Sequence, residues 1–448
     1  MTHIKRIQLV ASSLALCLVI ASFTSAQTDL PSQWTQFRGN AGNGTAIESA
    51  KPPTQWDEKQ LAWEIEIPGI GWSSPVYESH RAWMTTAIST PMSREEIKKK
   101  LAGDRMAGIK TMASSLDLHA VCVDLDSGKI VHNIKLASVS EPDAINPLNS
   151  YASPTPAIKD GKVICHFGNY GTWCLNEESG KEIWKKEFVV KHSVGPGSSP
   201  VIVGKTAIIV CDGTDKQFIV GVDIDSGDQV WKTDRPPIRA NDGEFRKAYC
   251  TPLLIEVEGK KQAVIPGAQW IASYDPASGK EIWRVDHGKG FSVTPMPVYE
   301  AGLVIFSTGY TRPEFVAIDP NGTGDITTTH VVWRKNNAPT MPSFVANGGR
   351  IFAISDKGIM FCIDAKTGEE LNRDRVGGNF SASPLLAGGN LYLGSREGKM
   401  TIMKCSSDLE IVGSQEFGAP IMASPVLVGD DLVVRTEKKL VRIKGSKP

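Results

Sequence analysis

The chain contains no adjacent cysteines, no Cys-x-x-Cys or Cys-x-x-Cys-His, no His-Glu-x-x-His, no Gly-x-Ser-x-Gly and no Gly-x-x-x-x-Gly-Lys-Ser/Thr. Covalent haem, a zinc-peptidase helix, a nucleophile elbow and a P-loop are thereby excluded in the forms a sequence can show. A net charge is also missing: Lys+Arg 49 stand against Asp+Glu 49, so no global field draws the chain to nucleic acid or to an anionic membrane. The eight histidines stand singly, which gives no spacing for a histidine-based metal cluster. Beyond the N-terminal stretch no apolar run is long enough to cross a bilayer.

That N-terminal stretch has its own grammar. Lys5 and Arg6 precede an apolar run over residues 7–23, and Thr24-Ser25-Ala26 ends on a small residue, as in a cleaved secretory signal over residues 1–26. The expected location is the periplasm or cell envelope, or the medium outside. Export permits disulfides, but Cys122, Cys174 and Cys362 each stand two residues before a recurring Asp or Asn, where other repeats carry Gly221, Ser273 and Ala317. They read as small buried fillers. Cys165 and Cys174, on neighbouring strands of one repeat, are the pair a bridge could join.

What the chain has in abundance is repetition. Asp275-Pro-Ala-Ser-Gly-Lys-Glu-Ile-Trp-Arg284 returns in variants, each followed by an apolar run opening near a proline. Pro75, Pro154, Pro200, Pro252, Pro295, Pro342, Pro384 and Pro425 mark eight openings. After a first gap of roughly 79 residues they are spaced by roughly 41–52, the period of a four-stranded propeller blade. Within a unit four short strands, A to D, can be read; in the sixth they cover 342–346, 350–355, 359–363 and the residues after Asp364-Ala-Lys-Thr-Gly368. Strands B and C are almost continuously apolar, which suits sheets covered on both faces. In the C–D turn Asp bonds back to its own backbone and Gly supplies positive φ, so Asp223-Ile-Asp225-Ser-Gly-Asp228 is a turn and not a calcium loop.

Trp184, Trp231, Trp283 and Trp333 recur on D strands as wedges between blades, with His132, Asn372 and Gly413 at the equivalent place elsewhere. The eighth unit stops after strand C. Residues 61–67, with Trp63, supply the missing D strand and close the ring. The expected architecture is an all-β, eight-bladed propeller over residues 61–448, preceded by a lead-in segment over 27–60 in which Gly39-Asn-Ala-Gly42-Asn-Gly44 is a flexible loop. Residues 89–115 interrupt the first unit, and the capping box Ser93-Arg-Glu-Glu96 heads a short basic helix in an insertion at about 93–110. That helix is either a solvated surface element or a docking element.

Antiparallel blades sort their loops by face. Loops entering strand A and loops joining B to C emerge at one end, and they include residues 89–115, 137–152, 234–249, 308–313 and Gly195-Pro-Gly197. The opposite face is nearly plain except for residues 321–330. The elaborated face carries Trp72, Tyr151, His166, Asn169, Lys216, Tyr249, Lys357 and Arg396. From the same loops come the ligand-binding candidates Tyr170, Arg246, Trp270, Tyr310 and Arg312, and Asp215 as a weak candidate for a catalytic base. Aromatic planes with cations suit a small anionic or sugar-like ligand, or a peptide anchor of an envelope or secreted protein. No residues were identified as metal ligands.

Eight units of Ser-x-Pro opening and Asp-x-x-Ser/Thr-Gly-Lys-x-x-Trp closing resemble the pyrroloquinoline quinone (PQQ)-like propeller repeat, shared by quinoprotein alcohol dehydrogenases and the BamB outer-membrane assembly lipoprotein. Trp34-Thr-Gln-Phe-Arg-Gly39, Asn149-Ser-Tyr-Ala-Ser-Pro-Thr-Pro156 and Gly378-Asn-Phe-Ser-Ala-Ser-Pro384 resemble exported bacterial members of undefined role. For the dehydrogenase members the resemblance implies PQQ with calcium, adjacent paired cysteines and a Glu, Asn and Asp set; neither the cysteine pair nor that set is found in this sequence. The lipobox of the lipoprotein is missing as well. The reading is a non-catalytic binding or scaffold protein acting through its loop-rich face. The alternative is a quinone-dependent oxidoreductase, in which Arg246 or Arg312 would pair with cofactor carboxylates and Trp270 would stack on the ring.

Overall fold

The structure, a computed structural model, describes residues 33–445. The leader expected over residues 1–26 lies outside the described residues. Eight sheets follow one another along the chain, each with four antiparallel strands; five are runs of four consecutive strands, one adds a fifth, parallel strand lent by the connection inside the next, and one is completed from the other end of the chain. The eighth takes its outer strand from the other end: Leu61–Glu66 pairs antiparallel with Lys439–Ile443, with Leu61 opposite Ile443 and Ile65 opposite Leu440. The ring is closed by this pairing, and Lys439–Ile443 is not left as an unpaired edge open to association. Among the described residues no helix is long and apolar enough to cross a membrane.

Strands B and C are buried along nearly their whole length, as in Thr206–Asp212 and Gln217–Asp223. The core is therefore a series of layers between neighbouring blades. One such layer joins Ile164, Cys174 and Trp184 of the second blade to Ala207, Ile209 and Val220 of the third. The register Ile164 opposite Cys174 places Cys165 and Cys174 one residue out of step, so they face opposite sides of the sheet and belong to different layers. A bridge between them is excluded by that alternation.

The repeated turn does more than reverse the chain. Asp275 accepts from the amides of Ala277 and Ser278 at 2.7 and 3.1 Å, as expected. The tryptophan of the preceding blade then docks on this turn. Trp63, Trp184, Trp231 and Trp333 donate their indole N–H to the carbonyls of Leu125, Ile224, Pro276 and Ala365 at 2.7–3.1 Å. Each acceptor directly follows the turn Asp of the next blade. Gly279, at φ +69°, lies so close to the Trp231 ring that a Cβ there would come within 2.3 Å of it. The glycine is needed for its conformation and for its missing side chain. Trp283 departs from the pattern: it bonds Gln262 within its own blade, and Gly324–Asp325 pairs in parallel beside it as a fifth strand. That fifth strand is the elaboration expected over residues 321–330.

Two expectations need correction. The residue that opens each blade stands two places before strand A: Ser74, Thr155, Ser199, Thr251, Met296, Ser343, Ser383 and Ser424. Pro154, Pro295 and Pro342 are thus each two residues early, because these openings carry a second proline or a phenylalanine at the structurally equivalent place. Second, Gly39–Gly44 is not a flexible loop. Trp34 bridges Tyr77 of the first blade, Thr35 accepts from the amide of Ile158 in the second, Gly42 packs on Leu253 and Met296, and Gly44 bonds Leu386 of the seventh. A segment touching so many blades lies on the ring axis. It plugs the channel at the plain face.

The first blade is elongated. Its strands Arg81–Pro91, Ala113–Asp124 and Ile130–Ser140 have 11, 12 and 11 residues and extend past the body as a wing on the loop-rich face. The insertion shrinks accordingly to residues 92–112. Its helix Arg94–Lys100 starts with both halves of the capping box between Ser93 and Glu96, and it buries Ile97.

Candidate functional site

The blade openings form a ring of hydroxyls around the channel. The amide of Ser74 donates to Thr155 Oγ1, that of Thr155 to Ser199 Oγ, and that of Ser199 to Thr251 Oγ1, at 2.9–3.0 Å. On the other side the amides of Met296, Ser343 and Ser383 donate to Ser343, Ser383 and Ser424 Oγ at the same distances. Ser74 Oγ closes the ring on the carbonyl of Ser424 at 3.0 Å. The exception is the junction of the fourth and fifth blades, where Met296 has no hydroxyl and the thiol of Cys250 reaches the Pro295 carbonyl at 3.3 Å. These hydroxyls hold blades together; each such bond contributes about 1 kcal/mol.

Above the ring, on the loop-rich face, lies a cavity of about 460 Å3. Its floor is Phe37 of the plug, and Ser199, Thr251, Ser343, Ser383 and Ser424 of the ring line it. Its walls are mostly apolar: Met106, Ile109, Leu148, Phe245, Phe291 and Met422 all take part. Ile109, Phe245 and Tyr310 remain 51%, 42% and 39% exposed, so the apolar lining continues outward onto the rim. Arg105, Met106 and Ile109 come from the insertion of the first blade, which reaches across to the loop between the third and fourth blades.

The charges at this mouth are committed. Arg105 pairs with Asp242, Lys247 with Glu244, and Lys110 with Asp104 at 2.8 Å. Lys110 and Lys247 are both buried. Burial, opposed by Glu244, lowers the ammonium pKa of Lys247. Burial would raise the Glu244 carboxyl, but its ion pair with Lys247 holds it below the usual carboxylate range. Burial keeps the Tyr249 phenol well above its ordinary value.

Of the residues singled out from the sequence, Tyr310, Trp72 and Tyr249 line the cavity. Arg396 braces it from behind, bonding Ser381 Oγ at 2.8 Å and Met341 Sδ at 3.2 Å. Arg246 stands between two lining residues but turns away to Gln217 at 3.3 Å. Trp270 is at the outer rim, donating to the Pro237 carbonyl at 2.8 Å with Arg239 and Arg284 over its ring. The Tyr170 hydroxyl accepts the Asp143 amide at 2.9 Å, Asp215 accepts that of Lys191 at 2.8 Å, and Arg312 is exposed on its loop. The cavity does not gather these residues into one set. The apolar lining went unnoticed in the sequence, although Met341-Pro-Ser343, Met422-Ala-Ser424 and Phe291-Ser-Val-Thr294 place a large apolar residue beside three of the blade openings.

The lining does not fit a calcium-bound quinone. Calcium takes six to eight oxygen ligands with carboxylates among them, and the one carboxylate lining this cavity, Glu244, is tied to Lys247. The two lining cations, Arg105 and Lys247, already hold acids. Among the described residues no three His, Cys, Asp or Glu side chains are grouped to hold a metal ion.

Comparison with known proteins agrees on the scaffold. Tetrathionate hydrolase of Acidithiobacillus ferrooxidans is 21% identical over 444 residues, covering 81% of this chain and 84% of its own. The structure of BamB from Moraxella catarrhalis superposes with a TM-score of 0.58 at 14% identity, covering 87% of this chain and 98% of that one. Quinohemoprotein alcohol dehydrogenase from Comamonas testosteroni gives 0.62 at 12% identity over 94% and 82%. At such identities the structures share the fold and nothing finer. The family model described as outer membrane protein assembly factor BamB matches residues 83–256 and 267–445, and the chain belongs to that family.

Proposed function

We propose that this protein is a non-catalytic binding protein of the cell envelope, and that the channel mouth on its loop-rich face takes apolar side chains of a partner protein. The carrying observation is the cavity of about 460 Å3, whose walls are apolar while its charged groups are paired and its hydroxyl ring is used in joining blades. Met106, Met341 and Met422 add adaptable surface, which suits a partner of variable shape. Tyr310 is the one residue among the five ligand-binding candidates that this reading keeps. Membership of the BamB family supports an envelope partner, and the charge balance leaves nucleic acid aside.

The test is direct. Wild-type protein should bind a fluorescein-labelled peptide of alternating leucine and serine, and Phe245→Asp should weaken that binding at least about tenfold, since a charge would have to enter the apolar wall. Tight uptake of PQQ with calcium accompanied by dye reduction, or turnover of tetrathionate, would instead make the protein an enzyme and sink the proposal.

A further inference from the structure

The insertion of the first blade is built as a separate unit. Inside it, Arg94 bonds the carbonyls of Gly108 and Lys110, Lys110 holds Asp104, and the capping box fixes the start of the helix. Toward its own blade it is anchored by the Thr111–Ile145 bridge and by Lys100 with Glu141 at 2.8 Å. Toward the far side of the mouth, the ion pair that crosses is Arg105 with Asp242, the arginine 75% exposed.

The buried lysines show the same division. Lys110 on the insertion is neutralised by Asp104 on the insertion, and Lys247 on the far side by Glu244 on the far side. Neither pair spans the gap, and the field of Lys110 is among the influences that lower Lys247. Across the mouth the field of Lys110 disfavours Lys247 and favours Glu244, so these two buried pairs give no clear pull either way, and the ion pair that spans the gap is the exposed, salt-screened Arg105 with Asp242. Exposed pairs of this kind hold weakly. The inner edge of the unit carries Met106 and Ile109, which line the cavity opposite Phe245.

We propose that residues 92–112 form a jaw, latched by Arg105 and Asp242, that opens to admit an extended apolar chain segment and closes on it through Met106 and Ile109. An extended segment fits better than a small molecule, because the apolar lining runs out of the enclosed volume onto exposed Ile109, Phe245 and Tyr310. A folded protein surface fits less well, because the jaw covers the cavity from one side. This inference rests on the channel-mouth reading above.

Locking the jaw tests it. With Cys405, the one described cysteine that is not buried, changed to Ser, Arg105→Cys and Asp242→Cys are joined by a short reducible bis-maleimide, and association of the labelled leucine–serine peptide is followed by stopped flow. The locked protein should associate at least about tenfold more slowly, a cost of the kind imposed when binding requires a conformational change, and reduction of the linker should restore the rate. Arg105→Ala should speed association by up to about fivefold, as expected from losing a weak latch. Equal rates for locked and reduced protein overturn the jaw while leaving the channel-mouth reading intact. If the reduced protein fails to bind the peptide at all, both fall.

Discussion

On the plain face, strands A end against residues 34–46, which plug the channel, and the C–D turns receive the docking tryptophans of their neighbours. On the loop-rich face the same strands begin at a hydroxyl ring and leave a cavity open beneath an insertion that one blade alone possesses. One end of each blade is thus built from contacts that recur from unit to unit, and the other, beyond the hydroxyl ring, from contacts made once. Recurring contacts tolerate little change, since each turn that receives a tryptophan must present a carbonyl, a bare Cα and a fixed angle to the preceding blade. Single contacts are free to vary, which is where binding surfaces usually lie on rigid scaffolds.

The comparison breaks most completely if the ring is opened. Deleting Leu61–Glu66 leaves Lys439–Ile443 as an unpaired edge, and cooperative thermal unfolding followed by circular dichroism should vanish; an unchanged melt would show that closure is dispensable. A smaller but still large effect is expected from Trp231→Ala, which removes a nearly buried ring from the Gly279 turn and should cost about 3–5 kcal/mol in denaturant unfolding. Gly279→Ala attacks the same joint from the other side, through a Cβ within 2.3 Å of the ring. A cost below about 1 kcal/mol for the tryptophan change would show that docking is incidental.

Acid should strike the loop-rich half first. Burial holds His166, His192 and His287 at about 3, 4 and 4, and all three lie at the ends of blades on that face. An unfolded histidine titrates near 6.5, so below that pH the unfolded state binds protons that the folded state refuses. Their contribution is complete above about 6.5 and is lost as pH falls toward 4. Asp212 works the other way: burial, against the pull of Arg235, pushes its carboxyl up to about 6, so it costs stability at neutral pH and recovers it on acidification. Hydrogen exchange at decreasing pH should therefore show the 166–192 region opening before the docking turns. Simultaneous opening would mean the two halves are not separable.

The ring of hydroxyls sits between the halves and should show an intermediate effect. Ser383→Ala leaves the buried amide of Ser343 without its acceptor and should cost about 1–3 kcal/mol. No effect would mean the ring is held by strand pairing alone.

How much of this the sequence reveals follows the same division. The blade count, the closing strand and the Asp–Gly turn were legible because each is local chemistry repeated many times. The plug is not legible: Gly39, Gly42 and Gly44 look like flexibility until the channel around them is known, and contacts from residue 38 to residue 344 leave no local trace. Doubled prolines at Pro154 and Pro295 shifted the frame by two residues for the same reason, since only strand pairing tells which proline adjoins strand A. The expected site residues are cations and hydrogen-bonding aromatics, and the structure spends Arg246, Trp270 and Tyr170 on tying neighbouring segments together, through Gln217, Pro237 and Asp143. The apolar wall is assembled from loops of several blades, with one or two large residues from each, and no single stretch announces it.

The smallest expected effect on stability is the one that separates the halves most sharply. Phe245 is 42% exposed and lies on a loop with few recurring contacts. Phe245→Asp loses an edge-to-face contact with Phe291 and should lower unfolding free energy by no more than about 1.5 kcal/mol, while removing an apolar side chain from the cavity wall and placing a charge there. Peptide binding should then fall at least about tenfold with the melting curve almost unmoved. A large loss of stability would mean that the mouth is part of the structural frame after all, and the division between a repeated half and a variable half would have to be drawn elsewhere.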